Sequence, residues 1–151
     1  MAIVRPATRN DIPRILELYQ ELVISHSRIE DSRQPSRADY ERILDSINTT
    51  PGYRLLVAEE TGEIAGLMEF LIMPNLSHNG SPWALIEGLV VSRKKRRQGL
   101  GKMLIEYAVR QCREAGCYKI ELSSDKRRVE AHEFYRSLGF KEAALGFRLY
   151  F

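Results

Sequence analysis

The chain reads as a single α/β domain of the α+β kind: a mixed central sheet of about seven strands with about four helices around it. Three observations predict this. Apolar runs of strand length alternate with stretches whose apolar residues recur at helical spacing. Turn formers (Pro51-Gly52, Thr61-Gly62, Gly116, Gly139) fall at the boundaries between them. No internal repeat, low-complexity segment or linker divides residues 1–151, and 44% hydrophobic with 28% charged residues suits one well-filled core.

Each element has its local reason. Residues 3–5 form a short strand. Asn10 or Asp11 then caps a helix carrying Ile12, Ile15, Leu16, Tyr19, Leu22 and Val23 at helical spacing, with Pro13 tolerated in its first turn. Ser36 with Asp39 is an S-x-x-D capping signal for a second helix, whose face is Tyr40, Ile43, Leu44 and Ile47. Residues 53–59 and 63–73 are apolar runs joined by Thr61-Gly62, a hairpin. A polar loop over residues 74–82 opens onto a strand at 84–91. A helix beginning near Gly99 follows, with Leu100, Met103, Leu104, Tyr107, Ala108, Cys112 and Ala115 on one stripe and a stop at Gly116. Residues 118–122 are again a strand. Asp125 caps a last helix with Val129, His132, Phe134, Tyr135 and Leu138 inward, and Leu138-Gly139-Phe140 ends it as a glycine cap. Short strands at 140–144 and 147–151 finish the count.

Composition excludes several classes. No stretch approaches the roughly 18 continuous apolar residues of a membrane span, and the N-terminus lacks the apolar core of a leader, so a cytoplasmic protein is expected. Cys112 and Cys117 are too few and too close to staple a domain; with no zinc-like spacing, they read as free thiols and no metal is expected. The net charge of +3 is mild, and much of it sits in one run, Arg93 to Arg97, which argues for a local anion site and against a nucleic-acid surface.

That run leads into the most informative motif. Arg96, Gly99 and Gly101 give R-x-x-G-x-G between an apolar strand and an amphipathic helix. Backbone N–H groups at a helix start converge, the helix dipole adds positive potential, and the glycines remove Cβ atoms that would keep an anion away. A Walker loop and a dinucleotide fingerprint both require other spacings. The motif therefore points to a phosphorylated cofactor, although taken alone a glycine pair after a basic run also fits a simple turn on a solvated face.

The succession A-L-I-E-G-L-V-V, R-R-Q-G-L-G-K-M-L, G-C-Y-K-I-E-L and A-H-E-F-Y-R-S-L-G-F resembles the GNAT superfamily of acetyl-CoA-dependent N-acetyltransferases. The phosphate turn matches the family pattern [QR]-x-x-G-x-[GA], and the last helix matches A-x-x-F-Y-x-x-x-G-F. The resemblance implies a single N-acetyltransferase domain over residues 1–151 with acetyl-CoA as co-substrate. It implies a pyrophosphate on the backbone of Arg97, Gln98, Gly99, Leu100, Gly101 and Lys102, with Arg96 opening the motif and neighbouring cations meeting the 3′-phosphate. It also implies a pantetheine arm lying along Leu89, Val90 and Val91, where this strand splays from the one at 118–123. Gly88 is placed to bend the strand there, its alternative being a small residue required by packing.

Amine acetylation needs a base, a polarised carbonyl and a proton for the departing thiolate. Glu87 fits the base, directly or through water, and its alternative is a strand salt-bridge partner. Backbone N–H groups near Leu89 and Val90 fit the oxyanion contact. Tyr135 matches the family's general acid, its alternative being a core position. Where relatives often have Asn seven residues before that Tyr, this chain has Arg128, which is available to bind phosphate. His26 is expected to be exposed, while His78, in the loop beside the acceptor pocket, and His132, on the side of Tyr135, are weighed for roles there. The resemblance implies a small-molecule primary amine as partner, such as an amino sugar or aminoalkylphosphonate. A protein or peptide acceptor and a non-enzymatic acyl-CoA-binding module are the alternatives. The alternation of Phe147, Leu149 and Phe151 leaves an apolar edge at the chain end and predicts a homodimer, unless the edge is covered within one chain.

Overall fold

The computed structural model describes residues 1–22, 30 and 34–151; Val23 and His26 lie outside them. Among the described residues the sheet has five strands in the order β1-β2-β3-β4-β5: β1 Ala2–Pro6, β2 Tyr53–Glu60, β3 Glu63–Met73, β4 Trp83–Val91 and β5 Ile120–Leu122. The first four pair antiparallel and β4 with β5 parallel. Helices α1 (Ile12–Leu22) and α2 (Arg37–Thr49) join β1 to β2, α3 (Leu100–Ala115) is the crossover from β4 to β5, and α4 (Val129–Ser137) follows β5. No helix among the described residues is long and apolar enough to cross a membrane.

Both faces of the sheet are covered. On one, Met68, Phe70, Ala84 and Ile86 meet Leu100, Leu104, Ile105, Ala108 and Cys112 of α3, with Phe134 and Tyr135 of α4 alongside. On the other, Leu55, Val57, Leu67 and Val90 meet Ile12, Ile15 and Leu18 of α1 and Leu44 of α2. The α3 stripe follows the expected 3.6-residue period but includes Ile105 and leaves Ala115 exposed, because the helix end runs beyond the sheet.

Local signals explain most boundaries. Ser36 and Asp39 form the expected reciprocal cap on α2: the Asp39 N–H donates to Ser36 Oγ at 3.1 Å and the Ser36 N–H to Asp39 Oδ2 at 2.8 Å. The Thr61-Gly62 turn joins β2 to β3 with both residues at positive φ, as a two-residue hairpin requires. The start of α1 differs from the expectation. Thr8 is the cap and Asp11 its reciprocal partner, because a short 3-10 turn, Arg9–Asp11, precedes the helix. In α4 the cap position is Arg128, and Val129 points outward, 60% exposed. The glycine end of α4 holds: Gly139 has φ 92°, and the Phe140 N–H reaches the Tyr135 carbonyl at 3.1 Å.

The strands expected at residues 140–144 and 147–151 are not formed. Alternation of apolar and polar residues makes a segment fit to be a strand, but a strand also needs a ladder partner. This segment meets its own chain through side chains: Arg148 Nη2 donates to Ser123 Oγ at 2.9 Å, while Phe147, Leu149 and Phe151 stay exposed. Hence the described residues hold five strands where about seven are expected.

Candidate active site

The site begins where the sheet stops being continuous. The parallel ladder between β4 and β5 ends at Ile86 and Leu122. One residue later β4 bends: Leu67 pairs with Val90 and Glu69 with Glu87, so Gly88 and Leu89 together face the single residue Met68. This is a β-bulge, with Gly88 at φ +58°. A Cβ there would stand 3.1 Å from Cε1 of Tyr19, so the glycine serves both the backbone conformation and the close approach of α1.

The strands part around a cavity of about 540 Å3. Glu87, Gly88 and Leu89 form one wall and Leu122 to Asp125 the other; Tyr19 of α1, with Arg128 and Tyr135 of α4, closes the end, and Arg148 and Tyr150 reach in from the C-terminal segment. Glu87 is exposed where it opens onto the cavity, and partial desolvation by the walls raises its pKa above the ordinary carboxyl value; Arg148 pulls the other way and Glu69 adds to the rise. Burial also raises the Tyr135 phenol, with Arg128 opposing and Glu87 reinforcing. The phenol therefore keeps its proton at neutral pH.

The basic turn stands at the end of β4. Ser92 is buried, and its N–H donates to the Ala65 carbonyl at 2.8 Å. The Arg93 N–H donates to Glu21 Oε2 at 2.8 Å, which ties the turn to α1. Arg96 Nε donates back to the Val91 carbonyl at 3.3 Å. Arg97 and Gly99 both have positive φ, and Gly99 caps α3 in the left-handed region, leaving the N–H groups of its first turn, Leu100, Gly101 and Lys102 included, without intrahelical acceptors. Arg93, Lys94, Arg96, Arg97 and Gln98 are exposed around it.

Several expected residues have another local role. Gly101 is where a Cβ would meet Cζ of Phe134 at 3.2 Å, so the missing side chain lets α3 and α4 close on each other. Lys95 is paired with Glu60 at 2.8 Å, and Lys102 lies 3.7 Å from Glu106. The side chains of Val90 and Leu100 are core, which leaves only their backbone for a ligand. Arg128 lines the cavity and also donates to the Leu22 carbonyl, tying α4 to the end of α1. His132 Nε2 lies 2.8 Å from the Asp125 carbonyl, and His78 stacks on Tyr118 with centroids 3.8 Å apart.

Sequence reasoning passed over Tyr19, Glu69, Tyr53, Arg148 and Tyr150. A signal existed for one of them: Glu69 interrupts the apolar run G-L-M-E-F-L-I, and a carboxylate inside a buried strand needs partners. It has them in the hydroxyls of Tyr19, at 2.7 Å, and Tyr53, at 2.8 Å.

Residues 15–140 match the family model described as the Acetyltransferase (GNAT) family. Among curated proteins the chain is similar to an aminoalkylphosphonate N-acetyltransferase of Salmonella typhimurium, 29% identical over 95% of this chain and 88% of the relative. It is also similar to a glucosamine 6-phosphate N-acetyltransferase of Trypanosoma brucei brucei, 36% identical over 55% of this chain and 54% of the relative. Among solved structures it is similar to one from Bacillus halodurans described as a transcriptional regulator, with TM-score 0.88, 29% identity and 100% of each chain covered.

Proposed function

The chain belongs to the GNAT family of acetyl-CoA-dependent N-acetyltransferases, and we propose that its acceptor is the primary amine of a small molecule such as an amino sugar or an aminoalkylphosphonate. The observation that carries this reading is one cavity that brings the Glu87 carboxylate and the Tyr135 phenol together beside the gap between β4 and β5. Its volume suits small ligands, and the curated relatives named above act on compounds of this kind.

The residues present fit acetyl-CoA. Beyond Ile86 the β5 ladder no longer occupies Leu89, Val90 and Val91, which suits an amide-bearing arm laid along β4. The turn from Arg96 to Lys102, with Gly99 left-handed and the α3 N–H groups behind it, suits a pyrophosphate, with Arg93, Lys94 and Arg97 exposed beside it and Arg128 on the cavity wall. When bound, acetyl-CoA supplies an acetyl thioester whose carbonyl an amine can attack.

Glu87 takes the proton from the acceptor's ammonium, directly or through a water, which turns it into a nucleophile. The backbone N–H at Leu89, beside the bulge, is the proposed donor for an oxygen gaining charge, while that of Val90 is turned toward Leu67 of β3. Tyr135 holds its proton at Oη and gives it to the departing sulfur, and the phenolate takes up the proton that the acceptor nitrogen sheds as the amide forms. The same reading includes a homodimer formed through Phe147, Leu149 and Phe151, supported by their exposure.

The test is a panel of amines with detection of released thiol. Turnover on small primary amines is expected, and turnover confined to peptide N-termini or lysines would overturn the small-molecule reading.

A further inference from the structure

Glu69 of β3 and Glu87 of β4 are direct cross-strand partners. Like charges in that position destabilise a ladder, so their juxtaposition calls for a reason. Glu69 is fixed by neutral donors: Tyr19 Oη donates to its Oε1 and Tyr53 Oη to its Oε2. Burial, together with Glu69 itself, holds both phenols well above the ordinary tyrosine pKa, so each remains a donor throughout the working range. Two neutral donors fix a carboxylate without cancelling its charge. That charge is left facing Glu87.

We propose that Glu69, clamped between Tyr19 and Tyr53, is a positioning residue that acts through Glu87, its negative charge making the neighbouring carboxylate a stronger base. The inference rests on Glu87 being the proton acceptor of the proposed reaction. The other charged groups around the cavity are Arg128 of α4, Arg148 of the C-terminal segment, Asp125 before α4 and Glu30 beyond α1, and the phenols of Tyr135 and Tyr150 complete it. Among these Arg148 opposes Glu69 in its effect on Glu87. The base thus stands between an anion that strengthens it and a cation that weakens it. The clamp is also tied to the bulge, since the Tyr19 ring that carries one of its hydroxyls packs over Gly88.

The experiment follows the Glu87 carboxyl by 13C NMR titration in the full chain, assigned by its loss in Glu87→Gln, alongside the pH profile of kcat/KM. Glu69→Gln is expected to lower the Glu87 midpoint by roughly half a pH unit, the scale for like charges about 6 Å apart in a largely aqueous field, and to move the acid limb of kcat/KM by the same amount. Arg148→Gln is expected to move both upward. Tyr53→Phe, a milder change that loosens the clamp, moves them as Glu69→Gln does but by less, and it keeps the test decisive if Glu69→Gln fails to fold. An unmoved NMR midpoint in folded Glu69→Gln and Tyr53→Phe overturns the inference while leaving Glu87 as base. A midpoint that falls while the rate profile stays put instead removes Glu87 from the reaction, and the inference falls with it.

Discussion

At the scale of single residues, the chemistry depends on keeping two protons in the right places before the acceptor arrives. Glu87 must be unprotonated to work, and burial raises its pKa, so the acid limb of kcat/KM is expected to lie above the ordinary carboxylate range near 4.3. Glu87→Gln should lower kcat/KM on the order of a hundredfold near neutrality, with partial recovery as rising pH deprotonates the amine unaided. Acetyl-CoA affinity, measured by calorimetry, should change little; a pH profile overlaying the wild type would remove Glu87 from the mechanism. Tyr135 must stay protonated, and burial ensures that it does. Tyr135→Phe deletes only a hydroxyl from a ring packed near Phe134 and Phe140, so the fold should survive while kcat falls about ten- to a thousandfold. Unchanged kcat with the chemical step shown to be rate-limiting would mean that the thiolate leaves unprotonated or takes its proton elsewhere.

At the scale of elements, the start of α1 ties a cap to the pH dependence of stability. Asp11 accepts hydrogen bonds from the Arg5 guanidinium at 2.8 and 3.0 Å and from the Thr8 backbone and hydroxyl, and the Arg5 bonds chiefly depress its pKa. A depressed carboxyl contributes stability that is fully present above the unfolded value near 4 and is lost as pH falls through the folded value. Asp11→Ala should cost about 1–2 kcal/mol in urea titrations at pH 7, and the gap from wild type should narrow as pH falls below 4. At the start of α3, Gly101→Val should harm both stability and acetyl-CoA binding, because the new side chain drives Phe134 away before it reaches any phosphate. Wild-type stability in that variant would contradict the contact. The elements divide by how much of each a sequence can reveal. The S-x-x-D cap of α2, the Thr61-Gly62 hairpin, the Gly88 bend and the Gly99 turn were legible because each is local chemistry at fixed spacing. The Glu69 clamp was not, since it joins α1, β2 and β3 across 50 residues of chain, and neither was the role of Gly101 against a helix some thirty residues away.

At the scale of the molecule, a sheet packed on both faces leaves the apolar residues of the C-terminal segment unburied. Phe147, Leu149 and Phe151 are 90%, 82% and 76% exposed, while Arg148 between them points back to Ser123 and the cavity. The alternation therefore divides the segment into a side that serves its own site and a side with nothing over it. The two expected strands form no ladder, not even with the edge strand β5, beside which Arg148 reaches Ser123 by its side chain alone. In the proposed homodimer each copy would bury three large side chains. Sedimentation equilibrium should show a dimer for the full chain, and Phe147→Glu with Leu149→Glu should give a monomer that still binds acetyl-CoA, because neither residue lines the cavity. Catalysis in that monomer should fall only as far as Arg148 and Tyr150 lose their positions at the cavity wall. A full chain that sediments as a monomer at about 100 μM, where a dimer with a Kd of about 1 μM would be almost fully formed, would show that the apolar edge is covered some other way.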